Sequence, residues 1–184
     1  MYEPREDSFL LQKYVAQYSR GIVLDMGTGS GIQAVEASHS KKVVKVYAVD
    51  VNRFVIRHCR ESIINKKIVF LKSNLFSVFK GDKRYRGMKF DTIIFNPPYL
   101  PNDPKAPDVA LDGGKHGYEL VVKFLHDAQF YIKPKTRILL VFSSLTGKDT
   151  LDKYLYKQHY KFRELEKENS FFEGIYIYLI ENED

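Results

Sequence analysis

The sequence predicts an α/β protein, a doubly wound and mostly parallel seven-stranded sheet with helices on both faces and an antiparallel C-terminal hairpin. Three observations carry that prediction. Short apolar runs with no polar alternation, such as "GIVLDMG", "KVYAVDV" and "FDTIIFN", are separated by segments of helical period. Strands apolar on both faces belong in a parallel sheet covered on both sides. The first run ends in a glycine turn (residues 25–31), and the fourth is stopped by two consecutive prolines (Pro97 and Pro98). Right-handed crossovers then place a ligand at the carboxyl ends of the strands.

Taken in order, "SFLLQKYVAQY" carries Phe9, Leu10, Tyr14, Val15 and Tyr18 at helical spacing, with Asp7 or Ser8 as the expected N-cap. "GIVLDMG" is the first strand, "GIQAVEASHS" a helix, "KVYAVDV" the second strand and "NRFVIRHCRESIINK" a helix. "KIVFLKSNLF" reads as the third strand and "FDTIIFN" as the fourth. A proline- and glycine-rich stretch, residues 96–117, is a structured loop within one domain of 1–184. "HGYELVVKFLHDAQFYI" is an amphipathic helix, "TRILLVFS" the fifth strand and "KDTLDKYLYKQH" a helix. The end, "YKFRELEKENSF" and "GIYIYLIE", reads as two strands in which Tyr176 and Tyr178 alternate with Ile175 and Ile177.

With 184 residues and a 44% apolar share, the chain can bury one substantial core. No apolar run reaches membrane-spanning length, and "MYEPREDSFL" is unlike a signal peptide. A single cysteine, Cys59, excludes an internal disulfide framework and a cysteine-cluster zinc site; the expected setting is cytoplasmic, with a nuclear pool in a eukaryote. The net charge of +6 comes from scattered lysines, read as a solvated surface rather than a nucleic-acid footprint. The five histidines are read mainly as surface or packing residues, with His116 the one bordering the glycine loop.

"DMGTGSG" spaces its glycines at Gly27, Gly29 and Gly31, unlike the dinucleotide fingerprint, and no Gly-Lys-Ser/Thr follows to make a P-loop. Gly27 and Gly29 let backbone approach a ligand, beside the free N–H groups of a helix start. Asp50 ends the second strand nineteen positions after Gly31, where an acid accepts from ribose hydroxyls. Asp25 either orients the turn or meets an ammonium group. These features describe a nucleoside-binding sheet and leave the nucleoside open.

"FNPPYLP" adds the chemistry. Asn96 has an acceptor carboxamide oxygen, Pro97 has no donor but keeps its carbonyl, and the rigid Pro97–Pro98 pair aims that carbonyl. Two acceptors grip a planar amino group as a fork, and Tyr99 offers a face for a flat amide or base. The pattern is a clamp for an amino group on a planar π-system.

"DMGTGSG", "VYAVDV" and "FNPPY", with "YEPREDSFLL" before and "DVALDGGKHG" after, resemble the HemK-like class I S-adenosylmethionine-dependent methyltransferases, Rossmann-like in fold. The similarity is to their short archaeal and eukaryotic branch, which modifies the glutamine of a Gly-Gly-Gln loop in a translation release factor. The resemblance implies S-adenosyl-L-methionine as cofactor. Glu6, Ser8, Gly27, Thr28, Gly29 and Gly31 would approach its methionine part, Asp50 its ribose, with Asp25, Val51 and Leu75 lining the same site. Asn74 stands in "SNLF" where the family has an aspartate accepting from the adenine amino group. Asn96, Pro97, Pro98 and Tyr99 would hold the substrate amide, and no metal is expected in this chain.

The resemblance also implies a heterodimer with a small zinc-binding activator protein. Docking is expected on the edge strand at Ile68, Val69, Phe70 and Leu71, whose apolar run invites pairing. Other readings are an adenine amino-group methyltransferase acting on DNA or RNA, a protein lysine methyltransferase, and a non-catalytic cofactor-binding subunit.

Overall fold

A computed structural model describes residues 4–99, 113–169 and 173–182. Its seven-stranded sheet has the order β3-β2-β1-β4-β5-β7-β6. The first five strands are β1 (Gly21–Met26), β2 (Val43–Asp50), β3 (Ile68–Lys72), β4 (Phe90–Phe95) and β5 (Ile132–Ser143), and they pair in parallel. β7 (Gly174–Asn182) pairs antiparallel with both β5 and β6 (Tyr160–Asn169). The predicted architecture is therefore present, with the chain reversal where the sequence placed it.

Helices α1 (Glu6–Tyr18), α2 (Ile32–His39) and α3 (Arg53–Ser62) cover one face, where Leu11, Val15, Ala34, Ala37, Ile56 and Cys59 pack on Val23, Val46, Ala48, Phe70 and Ile94. α4 (Ser77–Gly81), α5 (Glu119–Ala128) and α6 (Lys148–Lys157) cover the other, where Phe79, Phe124, Leu125, Leu151 and Leu155 pack on Leu24, Val49, Ile93 and Leu140. Along β7, Tyr176, Tyr178 and Ile180 face the second core, while Ile175, Ile177 and Leu179 face the first. Among the described residues, no helix is long and apolar enough to cross a membrane.

Four local expectations change. Arg5, not Asp7 or Ser8, is the residue preceding α1, and both of the latter lie buried inside its first turn. Phe9 is turned out to solvent, and Leu11 takes its place in the buried stripe. β3 ends at Lys72 rather than running through Phe76. Ser73 Oγ donates to the Leu75 carbonyl at 2.6 Å and accepts from Val78 N at 3.1 Å, so the hydroxyl bends the chain into α4, which was not expected. β5 begins four residues before "TRILLVFS". The loop expected to form the mouth of the site lies largely outside the described residues, at 100–112.

The two sheet edges differ in character. β6 presents mostly exposed charged residues, a common way to discourage pairing. β3 is apolar, and its backbone groups alternate: Val46 N bonds the Lys67 carbonyl and Ser73 N bonds the Asp50 carbonyl, so Ile68, Phe70 and Lys72 point theirs outward. The Arg60 guanidinium covers one of these, donating to the Phe70 carbonyl at 3.1 and 2.5 Å.

Candidate active site

Sheet register assembles the site. Met26 is aligned with Val49 on one side and Phe95 on the other, so Gly27, Asp50 and Asn96 leave the sheet in one row. Asp50 is aligned with Lys72, which brings the turn at Ser73–Asn74 to the same edge. Residues spread over seventy positions of sequence thus meet at the carboxyl ends of four parallel strands.

The glycine turn is held from beneath. Asp25 is buried, and its Oδ2 accepts from Thr28 Oγ1 at 2.6 Å. Burial pushes its carboxyl up to about 7, opposed by the hydrogen bonds from Thr28 and from the Ala34 backbone, with a further upward push from Asp50. Of the two roles open to Asp25, the geometry realises the orienting one. Thr28 N donates to the Val49 carbonyl at 2.9 Å, and Gly29 N donates to Asp50 Oδ2 at 3.1 Å, which draws the turn onto the end of β2. Gly31 has φ +83°, a backbone conformation that demands glycine, and a Cβ there would lie 2.6 Å from Ile63 Cδ1, the tip of a side chain that can turn aside. A Cβ on Gly29 would have only the Gly27 carbonyl near it, at 3.9 Å, so a ligand can approach that backbone.

Asp50 Oδ1 accepts from Asn52 N at 2.8 Å, and Asn52 itself caps α3 by accepting from Phe54 N at 2.9 Å. Val51 is exposed beside it, suited to cover one face of a flat ring. Asn74 is exposed, its backbone fixed by Ser77, and its side chain makes no hydrogen bond among the described residues. Leu75 has φ +45° and its side chain is buried in the core, so it offers its backbone to a ligand.

Asn96 is the centre of the arrangement. Its Nδ2 donates to Asp7 Oδ2 at 3.1 Å and to Ser8 Oγ at 3.3 Å. A carboxylate accepts only, so the amide nitrogen must face Asp7 and the carboxamide orientation is fixed. The Oδ1 on the other side is buried without a hydrogen-bond partner among the described residues. An unmet acceptor of that kind costs about 1–3 kcal/mol, which a donor on a bound molecule can recover. No described residue donates to the carbonyl of the buried Pro97. Pro98 is half-buried, and its carbonyl would lie 2.8 Å from a Cβ on Gly113, so that glycine permits close packing beneath the proline pair. Tyr99 OH donates to Asp7 Oδ2 at 3.3 Å, and its carbonyl accepts from Thr146 Oγ1 at 3.1 Å.

At the start of α1 the structure brings Asp7, which the sequence reading does not single out for the site, to Asn96 and Tyr99. Glu6 is exposed, whereas Asp7 is buried and bonded to both Asn96 and Tyr99. The signal was available in the helical phase, because Asp7 lies three and four residues before Leu10 and Leu11 on the buried stripe. The structure brings Ser8, the glycine turn, Thr28, Asp50 and Asn96 together at the carboxyl ends of the strands. His116 is bonded through Nδ1 to Glu119 at 2.8 Å and stacked on Tyr118, a self-contained exposed pair beside the glycine loop.

The residues fit an adenosine-bearing sulfonium cofactor: a carboxylate at the end of β2, an open turn of glycine backbone, an unpaired carboxamide on Asn74 and unmet acceptors near Ser8. With the unmet acceptor of Asn96 beside them, these are the features of a class I methyltransferase. Residues 6–173 match the methyltransferase small domain family, and the chain belongs to it.

Among its relatives is a protein of Methanocaldococcus jannaschii, provisionally named a protein N5-glutamine methyltransferase, 37% identical over 83% of this chain and 78% of its own length. A release factor glutamine methyltransferase of Fusobacterium nucleatum is 35% identical over 54% of this chain, which spans only 29% of that protein. In structure, the chain resembles the E. cuniculi Mtq2–Trm112 complex responsible for methylation of the eRF1 translation termination factor. The TM-score is 0.76 and the identity 23%, covering 99% of this chain and 98% of that one. M. capricolum TrmK bound to S-adenosyl-homocysteine has the same fold, with TM-score 0.66 and 13% identity over 94% of this chain and 68% of its own.

Proposed function

We propose that this chain transfers a methyl group from S-adenosyl-L-methionine to the side-chain amide nitrogen of the glutamine in a Gly-Gly-Gln loop of a translation release factor. The observation that carries the reading is the oriented carboxamide of Asn96, with its oxygen buried and unpaired. The kinship with a protein N5-glutamine methyltransferase supports the same substrate class. Residues 1–184 work in this reading as one class I methyltransferase unit.

An amide nitrogen is a poor nucleophile because its lone pair is delocalised. The cofactor supplies a methyl group already activated on a positively charged sulfur. The protein's task is alignment, which can be worth roughly 7–11 kcal/mol. Asn96 Oδ1 and the Pro97 carbonyl accept the two amide N–H groups and aim the nitrogen, while Pro98 stiffens the turn and Tyr99 covers the flat face. As the N–C bond forms and the S–C bond breaks, positive charge grows on nitrogen, and the two acceptors stabilise it more than they did the ground state. One amide proton then leaves to water. Asp50 holds the ribose and Asn74 the adenine amino group. The residues now covering Asn96 Oδ1 must shift to admit the substrate.

A small zinc-binding activator protein is the partner in this reading, forming a heterodimer by adding a strand at β3. The outward backbone groups of β3, where Ile68, Phe70 and Leu71 are buried and Val69 is half-buried, set against the charged edge of β6, support that side of the sheet. An isolated chain that is monomeric and fully active overturns the partner assignment.

The test pairs methyl incorporation with cofactor-product binding. Asn96→Ala is expected to abolish turnover on a release factor while binding S-adenosyl-homocysteine as the wild type does; full activity in the variant overturns the clamp. Release factor, DNA and RNA are offered in parallel. Incorporation confined to adenine overturns the glutamine assignment, since the same fork suits an exocyclic amino group.

A further inference from the structure

Gln33 offers a polar atom that none of the roles above uses. It sits in the first turn of α2, two positions after Gly31, and is only 4% exposed. Its Nε2 donates to the Ser8 carbonyl at 2.7 Å. A carbonyl cannot donate, so that contact fixes the amide nitrogen there and leaves Oε1 as the free atom. Oε1 is buried and has no hydrogen-bond partner among the described residues.

Ser8 connects this atom to the clamp. Gln33 grips its carbonyl, and Asn96 grips its hydroxyl at 3.3 Å. Two carboxamides therefore meet one residue of α1, and each leaves its oxygen without a donor. A leucine or methionine would fill the space between α1 and α2 with no unmet acceptor, so the glutamine is suited to a ligand rather than to packing.

The donors on S-adenosyl-L-methionine are the adenine amino group, the ribose hydroxyls and the α-ammonium. In the reading above, the first two belong to Asn74 and Asp50, at the ends of β3 and β2. Ser8 and Gln33 lie with α1 and α2, toward Asn96 and the reacting end. The α-ammonium is the remaining donor. We propose that Gln33 is a cofactor-binding residue whose Oε1 accepts from the α-ammonium of the amino-acid end of S-adenosyl-L-methionine, once the first turn of α1 shifts to admit it. The inference rests on the cofactor assigned under the proposed function.

Calorimetric titration of the full chain with two probes tests it. S-adenosyl-homocysteine carries the amino-acid end, and methylthioadenosine keeps the nucleoside and thioether without it. Gln33→Leu is expected to bind S-adenosyl-homocysteine about tenfold to a hundredfold more weakly, the loss of one charge-assisted hydrogen bond, with methylthioadenosine affinity unchanged. Gln33→Met replaces the leucine variant if that one fails to fold. Equal loss of both probes, or unchanged S-adenosyl-homocysteine affinity, overturns the role of Gln33 alone. A wild-type chain that binds neither probe overturns the cofactor reading, and this inference with it.

Discussion

At the scale of single residues, the site turns on which way one carboxamide faces. Asp7 determines this for Asn96, because a carboxylate rejects the carboxamide oxygen and holds the nitrogen at 3.1 Å. Asp7→Asn removes the distinction, since an amide at position 7 can donate to Asn96 Oδ1 as readily as accept from Nδ2. We expect kcat to fall about tenfold to a hundredfold, the size of one charge-assisted hydrogen bond, while S-adenosyl-homocysteine affinity holds. Steady-state kinetics beside a binding titration check this, and an unchanged kcat refutes it. Asn96 and Asp50 were legible in the sequence because strand-end motifs fix their places. Asp7 was not distinguished from Glu6, since one step along a helix turns a side chain by about 100° and the buried face decides between them.

Elements raise a different question, how turns commit the chain to one path. Gly31 combines φ +83° with a Cβ position 2.6 Å from Ile63 Cδ1. Gly31→Ala is expected to destabilise by about 1–2 kcal/mol from the left-handed backbone alone. Each kcal/mol lowers the midpoint by about 2–4 °C in a chain of this size. Ile63 is itself half-buried against the core, so Ile63→Ala in the same background adds its own packing cost, and thermal melts of the double variant should recover none of the loss.

On β3, Lys72 is exposed and its N–H points away from β2. Lys72→Pro leaves the β2–β3 ladder intact and blocks strand addition. Co-purification with a Trm112-type partner should therefore fail while the chain still melts cooperatively; retained association sinks the edge as the docking site. The strand itself was readable from "KIVFLK", but its end at Lys72 was not, because the apolar pair Leu75–Phe76 reads as a continuation past Ser73 and Asn74, and the Ser73 hydroxyl bonds turn the chain.

At the scale of the whole molecule, stability should depend on pH through Asp25. Its folded-state carboxyl is raised from 3.8 to about 7, chiefly by burial. A raised value means that the folded state holds the proton more tightly than the unfolded chain. The resulting stabilisation is complete below about pH 4 and is lost as pH rises through about 7. Asp25→Asn, which can still accept from Thr28, should lose that dependence and melt higher than the wild type at pH 8. Melting points taken between pH 4 and 8 check the sign, and a wild type that gains more stability than the variant as pH rises contradicts it.

The sequence alone determined the parallel sheet, the succession of its strands along the chain, the glycine turn and the strand-end positions of Asp50 and Asn96. Each of these is encoded locally, in apolar runs and in residues whose backbone freedom or lack of a donor leaves few alternatives. Tertiary structure alone decided that Asp7 and Gln33 join Asn96 around Ser8, and that β3 ends at a serine-braced turn. The reason is physical: hydrogen-bond partners 88 and 25 residues apart are chosen by strand register and helix phase, and these are fixed only when both faces of the sheet are packed.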